Sequence, residues 1–175
     1  KDFSKKEIED IIDLGIRLKK NSEKYSKSME NKTLAMLFQK TSTRTRLSFE
    51  AGMTRLGGHA IFVDSSTTQF DKAEIGDEAR CISRYADLIM MRPLKNSVLV
   101  KIAEASSVPV INGCCEKYHP CQALADMMTI KEHFGKFSGL NIVWLGIANN
   151  VSNSLMLAAT KIGAKFNLCV TEWDQ

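Results

Sequence analysis

Five consecutive residues, Ser42-Thr43-Arg44-Thr45-Arg46, combine three hydroxyl groups with two guanidinium groups. They follow a short apolar run and precede a stretch with helical spacing, so we expect them at the start of a helix. There Ser42 or Thr43 can cap the helix. The N–H groups of the first helical turn have no partner within the helix and point toward the loop. Hydroxyls, free amides and an arginine together are typical of a phosphate-binding site. A capped helix with solvated arginines fits the same segment, so its sequence alone leaves both interpretations open.

Two further segments place polar side chains where predicted strands end. Arg92 closes an apolar strand, while His119 and Gln122 flank Pro120 at the predicted start of a helix. Residues three apart share a helix face, where a histidine can donate a hydrogen bond to a carbonyl oxygen and a glutamine can hold an amide. Taken alone, Arg92 is equally well interpreted as a solvent-exposed arginine, and His119 as a histidine with a structural role. Because ligands bind at the carboxyl ends of strands in open α/β sheets, we expect the three segments to serve one site.

The elements that position these residues alternate between strands and helices. Ser4 and Glu7 form a capping box at the start of the first helix, and Phe3 and Ile8 stand at the positions of a hydrophobic staple. The alternation predicts an α/β fold with a parallel sheet flanked by helices. The predicted strands are 33–38, 59–63, 88–91, 108–111, 141–145 and 165–170, and the later helices are 45–56, 77–85, 96–105, 120–133 and 152–162.

The length of 175 residues predicts one domain, or one domain and part of another. We place the boundary after the long helix, so that residues 1–137 form a first domain. Residues 138–175 hold only a strand, a helix and a strand, which is too little to bury its own faces. We therefore expect them to be the beginning of a second, truncated α/β domain.

The composition, with 44% hydrophobic and 25% charged residues, is that of an ordinary globular protein. No apolar run is long enough to predict a membrane span, and the first ten residues have no apolar signal core. The net charge of +4 is too small to imply a polyanionic partner. Five cysteines without a signal peptide indicate free thiols in a reducing compartment, so we expect a cytoplasmic location.

The segments FQKTSTRTRLSFE, SRYADLIMMR and HPCQALADMMTIKEHFG resemble the aspartate/ornithine carbamoyltransferase family, and the resemblance runs over essentially the whole chain. The Ser-Thr-Arg-Thr and His-Pro-x-Gln motifs are highly specific in this order and spacing. The segment that begins Asn149-Asn150-Val151 is similar to the ornithine branch, in which an Asn-Asn pair precedes an Asn-Ser pair. The resemblance implies a carbamoyl-phosphate domain, then an ornithine-binding domain that begins near Gly139.

The resemblance also implies the reaction and its residues. The δ-amine of L-ornithine attacks the carbamoyl carbon of carbamoyl phosphate, giving L-citrulline and phosphate for arginine metabolism without a metal or organic cofactor. The implied phosphate ligands are Ser42, Thr43, Arg44 and Thr45. Arg92 is implied to bridge phosphate and carbonyl oxygens, His119 and Gln122 to hold the carbamoyl group, Gln69 to reach a neighbouring subunit's site in a homotrimer, and Asn150 to contact ornithine. The residues implied in catalysis are Arg44, Thr45, Arg92 and His119.

Several positions depart from the pattern of that family. Arg92-Pro93-Leu94-Lys95-Asn96 replaces the usual Arg-Thr-x-x-His, and Ile147 replaces an aspartate after Gly146. The segment after Gln69 is one residue shorter than usual. The family's later ornithine-binding motifs do not occur in these 175 residues, so we expect them to hold no complete ornithine site. A carbamoyltransferase for another amine, such as putrescine, and a non-catalytic relative that binds carbamoyl phosphate therefore stay open.

Three other ligand classes are disfavoured by the sequence. Cys114, Cys115, His119 and Cys121 lack the C-x2-C spacing of structural zinc sites. The segment after Gly146 has only the first glycine of a dinucleotide-binding fingerprint. No basic stripe with interleaved aromatic residues indicates nucleic-acid binding.

Overall fold

The computed structural model describes residues 2–70 and 72–170. They divide into two compact units, one formed by residues 22–116 and the other by residues 2–21 and 117–170. We call the first the four-stranded unit and the second the two-stranded unit. The division of the whole fold into domains 1–137 and 138–175 stays a prediction.

The four-stranded unit is a parallel sheet in the order β2-β1-β3-β4. Its strands are β1 (Thr33–Phe38), β2 (His59–Asp64), β3 (Leu88–Arg92) and β4 (Val110–Asn112). Its α-helices are α2 (Thr43–Arg55), α3 (Ile75–Ile82) and α4 (Asn96–Ala105), and a short 3-10 turn covers Ser22–Tyr25.

Side chains alternate across this sheet, so each face of the central strands builds its own core. On one face Met36 and Met90 pack with Met53 of α2. On the other face Leu37 and Met91 pack with residues of α3 and α4. The predicted parallel sheet flanked by helices is confirmed.

A polar contact holds the amino ends of the two central strands together. Asp87, just before β3, accepts hydrogen bonds from Lys32 Nζ at 2.8 Å and from the Thr33 backbone N–H at 2.9 Å. The side-chain hydrogen bond from Lys32, followed by that from Thr33, holds the pKa of Asp87 below its ordinary value of 3.8.

The two-stranded unit is a small parallel sheet that shares one hydrophobic core with three helices. The helices are α1 (Lys5–Lys20), α5 (Pro120–Phe134) and α6 (Asn150–Lys161), and the strands are β5 (Asn141–Leu145) and β6 (Lys165–Cys169). Ser4 and Glu7 form the predicted capping box of α1, and Gly135 ends α5 in the left-handed conformation at φ 72°. Ile12 and Met127 lie in the centre of this core. Among the described residues, no helix has both the length and the apolar character needed to cross a membrane.

Several predicted element ends were wrong by two or three residues, and a capping or turn contact explains the two misplaced starts. Helix α3 begins at Ile75 and not at 77, because Glu74 caps the N–H groups of Gly76 and Asp77. It also ends earlier, at Ile82 rather than residue 85. Strand β4 begins at Val110 and not at 108, because the Ser106 hydroxyl bonds both the N–H and the carbonyl of Val108.

The ends of two other helices were also misplaced. Helix α2 begins at Thr43 and not at 45, because Ser42 caps it. Helix α6 begins at Asn150 and not at 152, because Asn149 caps the N–H groups of Val151 and Ser152. In both cases the helix starts directly after a side chain that accepts from its first turn.

Candidate functional site

The strand order places a ligand-binding position between the carboxyl ends of β1 and β3. The chain runs from β1 to β2 on one side and then returns to β3 on the other side of β1. Such a reversal opens a crevice outside the carboxyl ends of the two strands, where open α/β sheets bind their ligands. The loop after β1 carries Ser42 and α2, and β3 ends at Arg92. The first two predicted segments therefore meet at this switch point.

The start of α2 is built by hydroxyl groups. Ser42 is the N-cap residue in an extended conformation, and its Oγ accepts from the Thr45 backbone N–H at 3.4 Å. The same hydroxyl lies 3.0 Å from Thr45 Oγ1. Thr43, the first helical residue, is exposed. No acidic residue occupies the first turn, so the positive end of the helix dipole is not offset locally.

Arg92 joins this helix start from the neighbouring strand. Its Nη1 donates to Thr45 Oγ1 at 3.2 Å, so the guanidinium lies beside the first turn of α2. Its Nε is buried and has no hydrogen-bond partner within residues 2–70 and 72–170. A buried N–H donor without an acceptor is costly. The Arg92 Nε–H is therefore suited to donate a hydrogen bond to an anionic or carbonyl oxygen of a ligand.

The two arginines of the motif have different surroundings. Arg46 donates from Nε to Glu50 Oε1 at 2.9 Å, and its guanidinium lies 3.7 Å from the centroid of the Phe62 ring. Arg44 is exposed, and the described part of the chain offers it no ion pair. Of the two, Arg44 is the one whose charge is available to a ligand.

The loop between β3 and α4 contains contacts that the sequence did not indicate. Lys95 occupies the N-cap position of α4 but makes no side-chain cap. Instead, Glu116 Oε2 accepts from the Asn96 backbone N–H at 2.6 Å. The carboxylate of a residue 20 positions away thus caps the helix. The lack of a capping side chain at Lys95 was the only sequence signal for such a partner.

Gln69 lies on the loop between β2 and α3, and its side chain is exposed. The next residue, Phe70, is only 3% exposed and packs in the core that includes Leu37 and Met91. The buried ring anchors the loop and leaves Gln69 at its surface. A role of Gln69 in a neighbouring subunit stays a prediction.

His119 and Gln122 belong to the two-stranded unit, at the start of α5. Pro120 lies in the first turn, as predicted, and His119 is the N-cap residue. The His119 backbone N–H donates to Ser154 Oγ at 2.8 Å, which ties the start of α5 to α6. Gln122 is exposed, and its Nε2 donates to Asp126 Oδ1 at 2.8 Å. Ser154 is a positioning contact that the sequence analysis missed.

Asn150, the predicted ornithine contact, is the first residue of α6 and is half-buried. Its neighbour Asn149 forms a capping box with Ser152. The Asn-Asn pair therefore combines a capping residue with a second amide at a helix start. Its contact with ornithine stays a prediction.

The five cysteines differ in burial and form no disulfide among the described residues. Cys114 and Cys115 are buried, and Cys81 and Cys169 are exposed. Across residues 2–70 and 72–170, no three His, Cys, Asp or Glu side chains are grouped as metal ligands would be.

Comparisons with known proteins agree on one family. A family model described as aspartate/ornithine carbamoyltransferase, carbamoyl-P binding domain, matches residues 1–132. A protein of Anoxybacillus flavithermus named ornithine carbamoyltransferase is 47% identical over 166 residues, which are 93% of this chain and 52% of that protein. Its namesake from Bacillus subtilis is 43% identical over 169 residues, with 96% of this chain and 52% of the relative covered.

Solved structures give the same result. Ornithine carbamoyltransferase from Pyrococcus furiosus aligns with a TM-score of 0.92 at 44% identity, covering 97% of this chain and 55% of that one. An N-acetyl-L-ornithine transcarbamylase aligns with a TM-score of 0.83 at 31% identity, covering 97% and 59%. The chain spans about half the length of the curated relatives it matches.

Proposed function

Because the chain belongs to the aspartate/ornithine carbamoyltransferase family, we propose that the protein transfers the carbamoyl group of carbamoyl phosphate to the δ-amine of L-ornithine. The products are L-citrulline and phosphate, as part of arginine metabolism. The observation that carries the proposal is the position of Arg92 beside Thr45 and the start of α2, with its buried Nε–H lacking an acceptor among the described residues. This arrangement is suited to a ligand with a phosphate next to a carbonyl.

In this proposal the four-stranded unit binds the phosphate. Ser42, Thr43 and Thr45 provide hydroxyl groups at the helix start, where the backbone N–H groups of the first helical residues also face a bound anion. The exposed Arg44 adds a guanidinium that can form paired hydrogen bonds to phosphate oxygens. These groups stabilise the charge on the phosphate as it leaves.

The same proposal assigns the carbonyl oxygen to Arg92, Thr45 and His119. Negative charge grows on this oxygen when the amine attacks, so donors that are already oriented lower the barrier. Gln122 holds the carbamoyl amide, and Asn150 contacts the amino-acid group of ornithine. For His119 and Gln122, the support is the match of the family model to residues 1–132. Asn150 lies beyond that match, and its support is the resemblance of the Asn149-Asn150 segment to the ornithine branch.

The reaction forms a bond from the δ-nitrogen to the carbamoyl carbon and breaks the bond from that carbon to the phosphate oxygen. Phosphate leaves with the electron pair, and the nitrogen loses a proton. Since only the neutral amine attacks, the rate at fixed subsaturating ornithine rises with pH as the amine deprotonates. We further propose a homotrimer with shared sites, to which Gln69 contributes, and a cytoplasmic location.

The test is citrulline formation by the complete protein, with ornithine, N-acetyl-L-ornithine and putrescine assayed side by side. We expect turnover with ornithine, and exclusive turnover of another amine would overturn the substrate assignment. Binding of carbamoyl phosphate without turnover of any amine would favour a non-catalytic relative. Failure to bind carbamoyl phosphate would refute the proposal altogether.

A further inference from the structure

Gln39 connects the two loops that meet at the switch point. It directly follows β1, and its backbone N–H donates to the Arg92 carbonyl at 3.0 Å. Its side-chain oxygen Oε1 accepts from the Leu94 backbone N–H at 3.2 Å. One residue after β1 therefore holds the main chain on both sides of Pro93.

These contacts extend the strand pairing beyond its regular end. Phe38 and Arg92 are the last paired residues of β1 and β3. In a regular parallel ladder, the Leu94 N–H would next donate to the backbone carbonyl of Gln39. Here the side-chain amide of Gln39 supplies an acceptor for that N–H. The contact holds the end of β3 while the main chain after Gln39 turns toward Ser42.

The local sequence explains why this contact matters for Arg92. Pro93 has no N–H, so Leu94 carries the first backbone donor after Arg92. Pro93 is buried and Leu94 is exposed, so packing holds one residue of the loop while the hydrogen bond holds the next. This is the segment in which Arg-Pro-Leu-Lys-Asn departs from the pattern of the family.

We propose that Gln39 is a positioning residue for Arg92. By fixing the Arg92 carbonyl and the Leu94 N–H, it sets the direction in which the guanidinium leaves the end of β3. It touches no reacting group, and acts on carbamoyl phosphate through Arg92. The inference rests on the proposed function, because it assigns Arg92 to that ligand.

The test measures carbamoyl-phosphate binding to the complete protein by calorimetry. Gln39→Met keeps the length of the side chain and removes the acceptor, and Gln39→Asn keeps the amide but shortens its reach. Loss of one neutral hydrogen bond corresponds to about a 2- to 12-fold weaker affinity if it is fully transmitted to the site. We also expect the Leu94 amide hydrogen to exchange with solvent faster in both variants. A loss of packing elsewhere would not accelerate exchange at Leu94 in particular.

Combined variants separate positioning from a general structural effect. In an Arg92→Ala background, Gln39→Met should change the affinity little, because its effect passes through the removed group. In an Arg44→Ala background the full effect should persist, since Arg44 lies in the first turn of α2 and not in the loop after β3 that Gln39 holds. Equal effects of Gln39→Met in both backgrounds would refute the positioning role.

Two controls make the outcomes distinct. If the wild-type protein binds carbamoyl phosphate and both Gln39 variants bind it equally well, the inference is wrong and the proposed function stands. If the wild-type protein does not bind it, the proposed function fails first. Melting temperatures show whether each variant is folded. If Gln39→Met is unfolded, the affinity of Gln39→Asn is compared with that of the wild type instead.

Discussion

Replacing Arg92 by lysine tests the central contact of the site, because it keeps the positive charge and removes the planar fork. In the structure one nitrogen of the guanidinium, Nη1, donates to Thr45 Oγ1 at 3.2 Å. The Nε–H is buried without an acceptor within the described residues. A ligand can therefore accept at least two hydrogen bonds from the Arg92 guanidinium, whose N–H groups have a fixed geometry. A lysine offers all its donors from one atom.

The expected loss follows from the number of hydrogen bonds. If lysine replaces two directed bonds to the ligand by one, the variant loses one charge-assisted hydrogen bond, worth about 1.5–3 kcal/mol. That energy corresponds to about a 12- to 160-fold weaker affinity for carbamoyl phosphate. Because lysine preserves the net charge, this loss of affinity should depend only weakly on the salt concentration.

The assay is calorimetric titration with carbamoyl phosphate, and Arg46→Lys is the matched control. Arg46 bonds Glu50 and lies over the Phe62 ring, so its replacement should lower stability without changing the affinity. Equal affinity of Arg92→Lys and wild type would refute the assignment of Arg92. An equal loss in both lysine variants would show that the motif acts through folding and not through contact.

Three further predictions concern stability. Asp87→Asn should lower the melting temperature near neutral pH, where the carboxylate accepts a hydrogen bond from Lys32. The difference in melting temperature between wild type and variant should vanish as the pH falls below the lowered pKa of Asp87, and thermal scans at a series of pH values would measure it. Glu116→Ala removes the acceptor at the start of α4 and should lower the free energy of unfolding in urea by about 0.5–2 kcal/mol. Glu116→Gln keeps a neutral oxygen acceptor, so its loss of stability should be smaller. Leu37→Ala, at 0% exposure, should cost about 2–5 kcal/mol, whereas Leu47→Ala, at 59% exposure, should stay within about 0.5 kcal/mol; similar values for the two would contradict the described core.

The sign of the Asp87 effect follows from linkage. Its pKa is lower in the folded protein, so the unfolded chain binds the proton more tightly. The carboxylate therefore stabilises the fold above its ordinary pKa of 3.8, and this contribution is lost as the pH falls through the folded-state value. An unchanged difference between wild type and Asp87→Asn across this range would contradict the hydrogen bonds to Asp87.

Local signals in the sequence were sufficient to predict the elements, but not their order in the sheet. Apolar runs and caps such as Ser4 and Gly135 are encoded by neighbours along the chain. The order β2-β1-β3-β4 depends on packing between distant segments. For that reason the sequence could place Ser42 and Arg92 at strand ends, but it could not show that their two strands are adjacent.

The contacts that hold the site in place were the hardest to foresee. Gln39 accepts from a backbone N–H in the β3–α4 loop, 55 positions away, and Glu116 accepts from the first N–H of α4, 20 positions away. Gln39 lies in the segment FQKTSTRTRLSFE but outside its Ser-Thr-Arg-Thr motif, and Glu116 lies outside every motif quoted above. A side chain that accepts from a distant backbone leaves no periodic pattern, so only the tertiary structure identifies it.

The motif at the start of α2 is specific because four of its five residues meet three separate requirements. Ser42 and Thr45 close the helix end and contact each other at 3.0 Å, which fixes the donors of the first turn. Arg46, one position further round the helix, is held by Glu50 and the Phe62 ring of β2, which fixes the helix against the sheet. In the proposed function, this fixed helix start is the base from which the exposed Arg44 reaches the phosphate beside Arg92. A segment that merely bound phosphate would need the hydroxyls and one arginine, whereas the second arginine serves to hold the helix that carries them.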